Sequence, residues 1–382
     1  MIDLALPSPQ SEQPIIHVLK ADTCMNTQNQ VGTVAAQHRR KFLERCFGTS
    51  CGFAATLLMA PLAARQAYGQ EAMGDIVGRQ PFGRIEKIGD GVWALVSTPF
   101  TAKGTTGDLS THSNGGLIVG KDKILAIDSY RTRAGCKFMA DACRFLTGRL
   151  PTHIVHTHFH FDHLGGTRGF LQQADSPEII MTQKTRKLAY DTYLKTQDDS
   201  DNPGLKISAI EKWGGNLTDA SLIIEDESKP MILDLGGRSV TITPMSGHTA
   251  SDLVIFDQQT QVTFAGDLVW DGIFPNFMSS SPVQWINSVK QVTATANRII
   301  VPGHGNICKS DSDNIKQYQI LLDEIQTHAR TEFAKGATAV DAANSFKLPN
   351  SVGDFHYFRD GFHEIAMRAW YKEIGRDRKS TR

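Results

Sequence analysis

His158-Phe159-His160-Phe161-Asp162-His163 places four metal-ligating side chains in six positions, between a short strand-like stretch at 153–157 and Leu164-Gly165-Gly166. Residues two apart at the end of a strand point to the same side, so His158 and His160 can share one ion. A turn into a helix then swings Asp162 and His163 toward a neighbouring ion, while Phe159 and Phe161 point into the apolar layer. Three further candidates fit the same pattern. His248 stands in Ser246-Gly247-His248-Thr249, Asp267 in Ala265-Gly266-Asp267, and His304 in Pro302-Gly303-His304-Gly305. Each is read as lying just past an apolar strand, with a glycine that lets the backbone turn sharply without a Cβ clash. Ligands drawn from several strand ends onto one edge make a preorganised site.

The elements around these residues follow from periodicity. The stretch 84–96 reads as a hairpin turning at Asp90-Gly91, and 114–120 with 124–128 as a second hairpin. Phe138, Ala142, Phe145 and Leu146 recur at helical steps in a helix over 133–146. A strand at 153–157 and a helix over 162–173 complete the first half. The second half predicts strands at 231–235, 239–244, 253–256, 262–265 and 298–301, with helices at 283–296 and 313–335. Two runs of strands, each followed by helices, predict an α+β four-layer αββα sandwich over 70–335. The polar stretch 184–230 is expected to be an insertion, and 336–382 a C-terminal helical extension whose aromatic residues Phe355, Tyr357, Phe358, Phe362, Trp370 and Tyr371 pack together.

Composition excludes several classes. The 382 residues carry 40 Lys+Arg against 40 Asp+Glu, and 21% are charged, which argues against a disordered chain and against a polycation for nucleic acid. Without a run of 18 or more apolar residues, a multi-span membrane protein is excluded. The expected partner is a small-molecule substrate, and the sequence carries no signal for an oligomeric state. Arg39-Arg40-Lys41-Phe42-Leu43, a diluted apolar run at 46–64 and the small-x-small site Ala67-Tyr68-Gly69 read as a twin-arginine signal peptide within residues 1–69. Translation from Met25 would shorten its positive region to an ordinary length. Export to the periplasm or beyond, with no membrane span after cleavage, is the expectation. Cys136 and Cys143, seven apart on a helix, are too distant to bridge each other.

The ligand pattern resembles the metallo-β-lactamase fold superfamily of hydrolases over roughly residues 84–310. The resemblance implies a first metal site of His158, His160 and His248, and a second of Asp162, His163 and His304, with Asp267 bridging both. It also implies that Asp128 supports the histidine-rich loop from behind. The cofactors implied are two divalent cations, zinc first, with iron or manganese also suited to an all-His/Asp set. Two such cations about 3.5–4 Å apart hold a hydroxide at neutral pH, so no Ser-His-Asp triad is required. Asp162 is the expected catalytic residue, orienting that hydroxide and carrying its proton. An Asp at 267, with Trp270 three residues later, resembles the glyoxalase II-like and lactonase branches more than the cysteine-containing β-lactamases. The implied activity is an exported hydrolase of an ester, thioester, lactone or lactam. The alternatives are a β-lactamase proper and a mononuclear iron persulfide-type dioxygenase. Trp270, Phe274 and Phe277 are candidates for an apolar pocket wall. His153 and His156 are read as structural, His112 as a solvated loop residue, and His328, His356 and His363 as surface or packing residues.

Overall fold

A computed structural model of the chain describes residues 72–97, 110–171, 177–195, 220–295, 297–348, 352, 355–358 and 360–380. The Arg39-Arg40 pair, the small-residue site ending at Gly69 and most of the expected insertion (196–219) lie outside the described residues. Eight strands form the first sheet in chain order: β1 (Asp75–Gln80), β2 (Gly83–Gly89), β3 (Val92–Ser97), β4 (Gly115–Val119), β5 (Ile124–Ile127), β6 (His153–Val155), β7 (Glu178–Thr182) and β8 (Leu222–Ile224). Pairing is antiparallel from β1 to β5 and parallel from β5 to β8. Parallel neighbours need a crossover. Helix α1 (Arg133–Thr147) supplies it between β5 and β6, capped by Thr132 at its start and by Gly148 at φ 73° at its end. The short helices α2 (Phe161–Leu164) and α3 (Arg168–Leu171) follow β6, and α4 (Gln183–Ala189) follows β7.

The second sheet has six strands in the order β14-β13-β12-β11-β10-β9. They are β9 (Met231–Asp234), β10 (Ser239–Met245), β11 (Asp252–Asp257), β12 (Val262–Trp270), β13 (Ile299–His304) and β14 (Cys308–Lys309). Helix α5 (Pro282–Ala294) joins the parallel pair β12 and β13, and α6 (Asp313–Ala334), α7 (Ala339–Ser345) and α8 (Phe362–Ser380) follow.

The period of two along each strand sorts its side chains into layers. Val92, Ala94 and Val96 of β3 join Val240, Ile242, Leu253, Ile255 and Phe264 in the core between the sheets. Trp93 and Leu95, one residue out of phase, join Phe138, Met139 and Cys143 of α1 on the outer face. The outer face of the second sheet, with Ala265 and Ile300, packs against Trp285, Leu321, Leu322 and Trp370 from three helices. That arrangement is helix, sheet, sheet, helix: the four layers expected. Each fully buried Leu, Ile or Phe contributes about 1.5–3 kcal/mol of transfer free energy, so the three apolar layers together hold the frame.

Three local features differ from the sequence expectation. The helix expected over 162–173 breaks into α2 and α3 because Gly166 N donates to Tyr130 O at 2.9 Å, tying the chain to the loop after β5. The strand expected to end near 265 runs to Trp270, so Asp267 stands inside β12, where the ladder to β13 shifts register around Gly266. Strand β8 comes from the stretch expected to be an insertion and closes the first sheet beside β7. Strands β1, β7 and β14 carried too little alternation to be marked. Beyond α7 the chain returns to the site edge, where His356 N donates to Gly272 O at 2.9 Å and Phe274 N to His356 O at 2.8 Å. Among the described residues, no helix is long and apolar enough to cross a membrane, and Cys136, Cys143 and Cys308 are free thiols, all buried.

Candidate metal centre

The carboxyl ends of β6, β12 and β13 lie on one edge of the sandwich and bring the predicted residues together. Ligand atoms of His158, His160, His248 and Asp267 lie within 4.8 Å of one another, and so do those of His163, Asp267 and His304. A third such group joins His112 with Asp162 and His304. All seven residues singled out in the sequence therefore converge.

Close packing of backbone makes this convergence. A Cβ on Gly303 would stand 1.9 Å from Asp267 Oδ1, so only glycine lets β13 pass that carboxylate. Gly266 at φ 51° makes the register break that turns Asp267 toward the site.

Four of the five histidines have one nitrogen anchored and the other aimed inward, whereas buried His248 Nδ1 makes no hydrogen bond. His163 Nδ1–H donates to Asp128 Oδ2 at 2.8 Å. Asp128 also accepts from Thr157 N at 2.7 Å and Thr157 Oγ1 at 2.9 Å. With its own proton committed, Thr157 Oγ1 accepts from His158 Nδ1–H at 3.0 Å. That relay turns Nε2 of both His158 and His163 into the site. Asp128 holds φ 59°, a conformation that a non-glycine residue keeps only when its surroundings impose it. His304 Nδ1–H donates to the carbonyl of His112 at 3.1 Å, and His160 Nε2 meets Ser279 Oγ at 3.2 Å.

Several of the inward atoms are left without a hydrogen bond. His248 Nε2 and His160 Nδ1 face each other at 2.8 Å, nitrogen to nitrogen. Buried His158 Nε2, His163 Nε2 and Asp267 Oδ1 make no hydrogen bond, even though the last two are 3.0 Å apart. Orphaned buried polar atoms are rare because each costs about 1–3 kcal/mol. Neutral imidazole nitrogens and carboxylate oxygens aimed at one point are the donor set for divalent cations such as zinc, iron or manganese. The residues present therefore fit the metals that the ligand pattern implies.

Electrostatics divides the cluster. Burial pushes His158 well below the ordinary imidazole value, helped by the charge on His163, and it lowers His160 as well. Burial takes His248 down to about 3, with Asp267 only partly opposing it. Burial also works against charge on His163 and His304, but there the carboxylates win. Asp267, Asp128 and Asp162 hold His163 well above its usual value, and Asp267 with Asp162 brings His304 to about 9. Asp267 and Asp162 stay far below the normal carboxylate range despite burial, because these imidazoles face them.

The candidate pocket residues are placed differently from expectation. Phe274 and Phe277 are 0% and 2% exposed. Phe274 stacks on Tyr357 at 5.3 Å, and Phe277 lies against Trp285 at 4.8 Å. Both are core packing with no opening to wall. Trp270 is equally buried but touches the site: its ring lies 4.2 Å from His304, and its Nε1 donates to Asp267 O at 2.7 Å. His153 pairs with Glu178 at 3.2 Å, and His156 meets Thr167 at 3.3 Å and the His163 backbone from behind the cluster. His328 meets Ala342 O and His363 meets Tyr357, both in the C-terminal packing.

Sequence reasoning missed two residues. His112 bonds Asp162, with Nδ1 2.8 Å from Oδ2, and its side chain is only 17% exposed. Asn114 gives its amide protons to Pro302 O at 2.9 Å and Gly305 O at 2.8 Å and accepts from Ser97 N at 2.9 Å, stitching the two sheets together at the site edge. Neither lies near a predicted ligand in sequence, so no spacing tied them to the site.

Residues 142–304 match the family model described as the metallo-beta-lactamase superfamily. Acyl-coenzyme A thioesterase MBLAC2 of Gallus gallus is 26% identical over 166 residues, 42% of this chain and 58% of that protein. Its Homo sapiens counterpart is 25% identical over 167 residues, 41% of this chain and 57% of that protein. The matched region thus spans less than two thirds of these relatives. Among solved structures, a metallo-beta-lactamase from Pontibacter korlensis has a TM-score of 0.48 at 17% identity, covering 63% of this chain and 99% of that one. Another from Hirschia baltica has a TM-score of 0.47 at 16% identity, covering 64% and 98%. The sandwich and the converging His/Asp cluster accord with the family match, which makes residues 142–304 a metallo-beta-lactamase superfamily domain.

Proposed function

We propose that this chain is a dinuclear metal-dependent hydrolase of acyl-type substrates, with thioesters, esters and lactones ahead of lactams. The convergence of the orphaned His158, His163 and Asp267 atoms with His160, His248 and His304 supports it. His158, His160 and His248 would hold the first cation, Asp162, His163 and His304 the second, with Asp267 shared between them. When bound, such cations lower the pKa of a water toward about 7 and polarise a carbonyl. Zinc suits the set best. The chain's own residues supply the rest. Asp162 is the more exposed of the two central carboxylates, 19% against 3% for Asp267. That makes the Asp162 carboxylate the group placed to take a proton from the attacking water and pass it to the leaving group, while the more deeply buried Asp267 keeps the ligand spacing. The thioester preference draws on the thioesterase relatives' names and on the absence of a cysteine at position 267.

Elemental analysis of purified protein, with a panel of acyl-CoA thioesters, lactones and β-lactams, tests this reading. About two cations per chain and turnover abolished in His160→Ala are expected. Undiminished turnover after complete metal removal would overturn it, and a single iron with sulfur-dependent O₂ uptake would favour a dioxygenase. We also propose export through the twin-arginine segment. Periplasmic accumulation that survives Arg39→Lys/Arg40→Lys would refute that.

A further inference from the structure

His112 lies outside the family match yet touches two candidate ligands of the second site. Its Nδ1 is 2.8 Å from Asp162 Oδ2, and its carbonyl oxygen accepts from His304 Nδ1 at 3.1 Å. The next residue reinforces this grip, since Ser113 Oγ donates to the Asp162 carbonyl at 2.6 Å. His112 sits at φ 63°, a conformation the fold must impose on a non-glycine residue. Ser113 N, bonded to Thr111 O at 2.8 Å, and Asn114 N, bonded to Gly303 O at 2.7 Å, impose it from the following side. The ring itself is covered. Phe358, from the C-terminal segment, lies against it with centroids 4.7 Å apart and planes 34° apart, and also meets His304 at 4.9 Å and Trp270 at 5.5 Å.

We propose that His112 is a positioning residue for the second cation site: its Nδ1–H fixes the Asp162 carboxylate, its carbonyl fixes the His304 ring, and Phe358 holds it in place. The inference rests on the dinuclear reading and deepens it. A carboxylate ligand rotates freely unless one oxygen is held, and an imidazole ligand needs its far nitrogen bonded to present the other. A single residue meets both needs here, one through its side chain and one through its main chain. Mutagenesis can separate the two, because replacing the side chain leaves the His304 contact in place. The same arrangement makes the C-terminal segment part of the site and not merely a cover for the second sheet.

The test is titration of the full-length apoprotein with Co²⁺, reading the affinity of each equivalent by competition with a chromophoric chelator and the site geometry from the d–d spectrum. His112→Phe fills the same space without a donor and is expected to weaken the second equivalent about 10–100-fold while leaving the first within about threefold. His112→Asn tolerates the positive φ and carries an amide donor, so it should recover most of that loss. Phe358→Ala should weaken the second equivalent less than His112→Phe and alter its spectrum. Wild-type affinity for both equivalents in His112→Phe overturns the proposal, as does His112→Asn behaving no better than His112→Phe. Should His112→Phe fail to fold, His112→Asn and Phe358→Ala still decide: both indistinguishable from wild type in affinity and spectrum counts against it. Wild-type protein that takes up fewer than two cations is a separate result and sinks the dinuclear reading itself.

Discussion

Replacing Asp128 by Asn tests whether the support behind the histidine-rich loop governs metal affinity. Asparagine keeps the shape and tolerates the φ of 59°, so the backbone should survive. The hydrogen bonds cannot. In the native chain one carboxylate accepts three protons, from Thr157 N, Thr157 Oγ1 and His163 Nδ1. If the amide oxygen stays opposite Thr157 N, the amide nitrogen faces His163 Nδ1, and the ring must put its proton on Nε2, the atom aimed at the site. If the amide flips, two N–H groups meet at 2.7 Å and the loop must move. Either outcome removes a hydrogen bond to a charged acceptor, about 1.5–3 kcal/mol, and the first also takes a lone pair from the second site. The expected loss of second-cation affinity is about 10–100-fold, with a smaller loss at the first through Thr157 and His158. Competition with a chromophoric chelator on apoprotein measures both. Second-cation binding within about threefold of wild type would show that Asp128 is a bystander.

Cation uptake should depend on pH in two different ways. At pH 7–8 the His304 ring, at about 9, and the raised His163 hold protons that a cation must displace, whereas His248, at about 3, and the lowered His158 and His160 favour the neutral form. Affinity for the second equivalent should therefore rise with pH, about tenfold per unit for each proton displaced, and the first should stay nearly flat; equal slopes would contradict the assignment. Asn114→Leu leaves the carbonyls of Pro302 and Gly305 without donors, so chemical denaturation should show a loss of at least about 3 kcal/mol. A loss below about 1 kcal/mol would mean the two sheets do not depend on this residue. Phe274→Ala removes a fully buried ring and should destabilise by about 3–5 kcal/mol with kcat/KM unchanged at temperatures where the protein stays folded. A changed substrate profile with little loss of stability would restore Phe274 to a pocket wall.

Much of the candidate site was legible because it is written locally. His158 to His163 fall within one strand-to-helix turn, and the glycines beside His248, Asp267 and His304 marked three more ligand positions before any contact was known. Legibility ended where the meaning of a residue depends on a distant partner. Phe274 and Phe277 sit beside Trp270 in sequence and have the composition of a pocket wall. Their burial was decided by Tyr357 and Trp285, which sequence proximity to the site does not reveal. Likewise β8 alternates too briefly to be marked, and only its pairing with β7 makes it a strand.

The sequence alone determined the layer order and the ligand chemistry, since periodicity of two or 3.6 and the donor types of His and Asp are properties of a residue and its near neighbours. Only the tertiary structure decided how those ligands are held. His112 reaches Asp162 across 50 positions and Phe358 reaches His304 across the C-terminal return, while Gly303 must be bare because Asp267 passes beside it. Hydrogen bonds and van der Waals contacts act over a few ångströms in space, whatever the separation along the chain. That is why His112 looked like a loop residue until the fold placed it against Asp162.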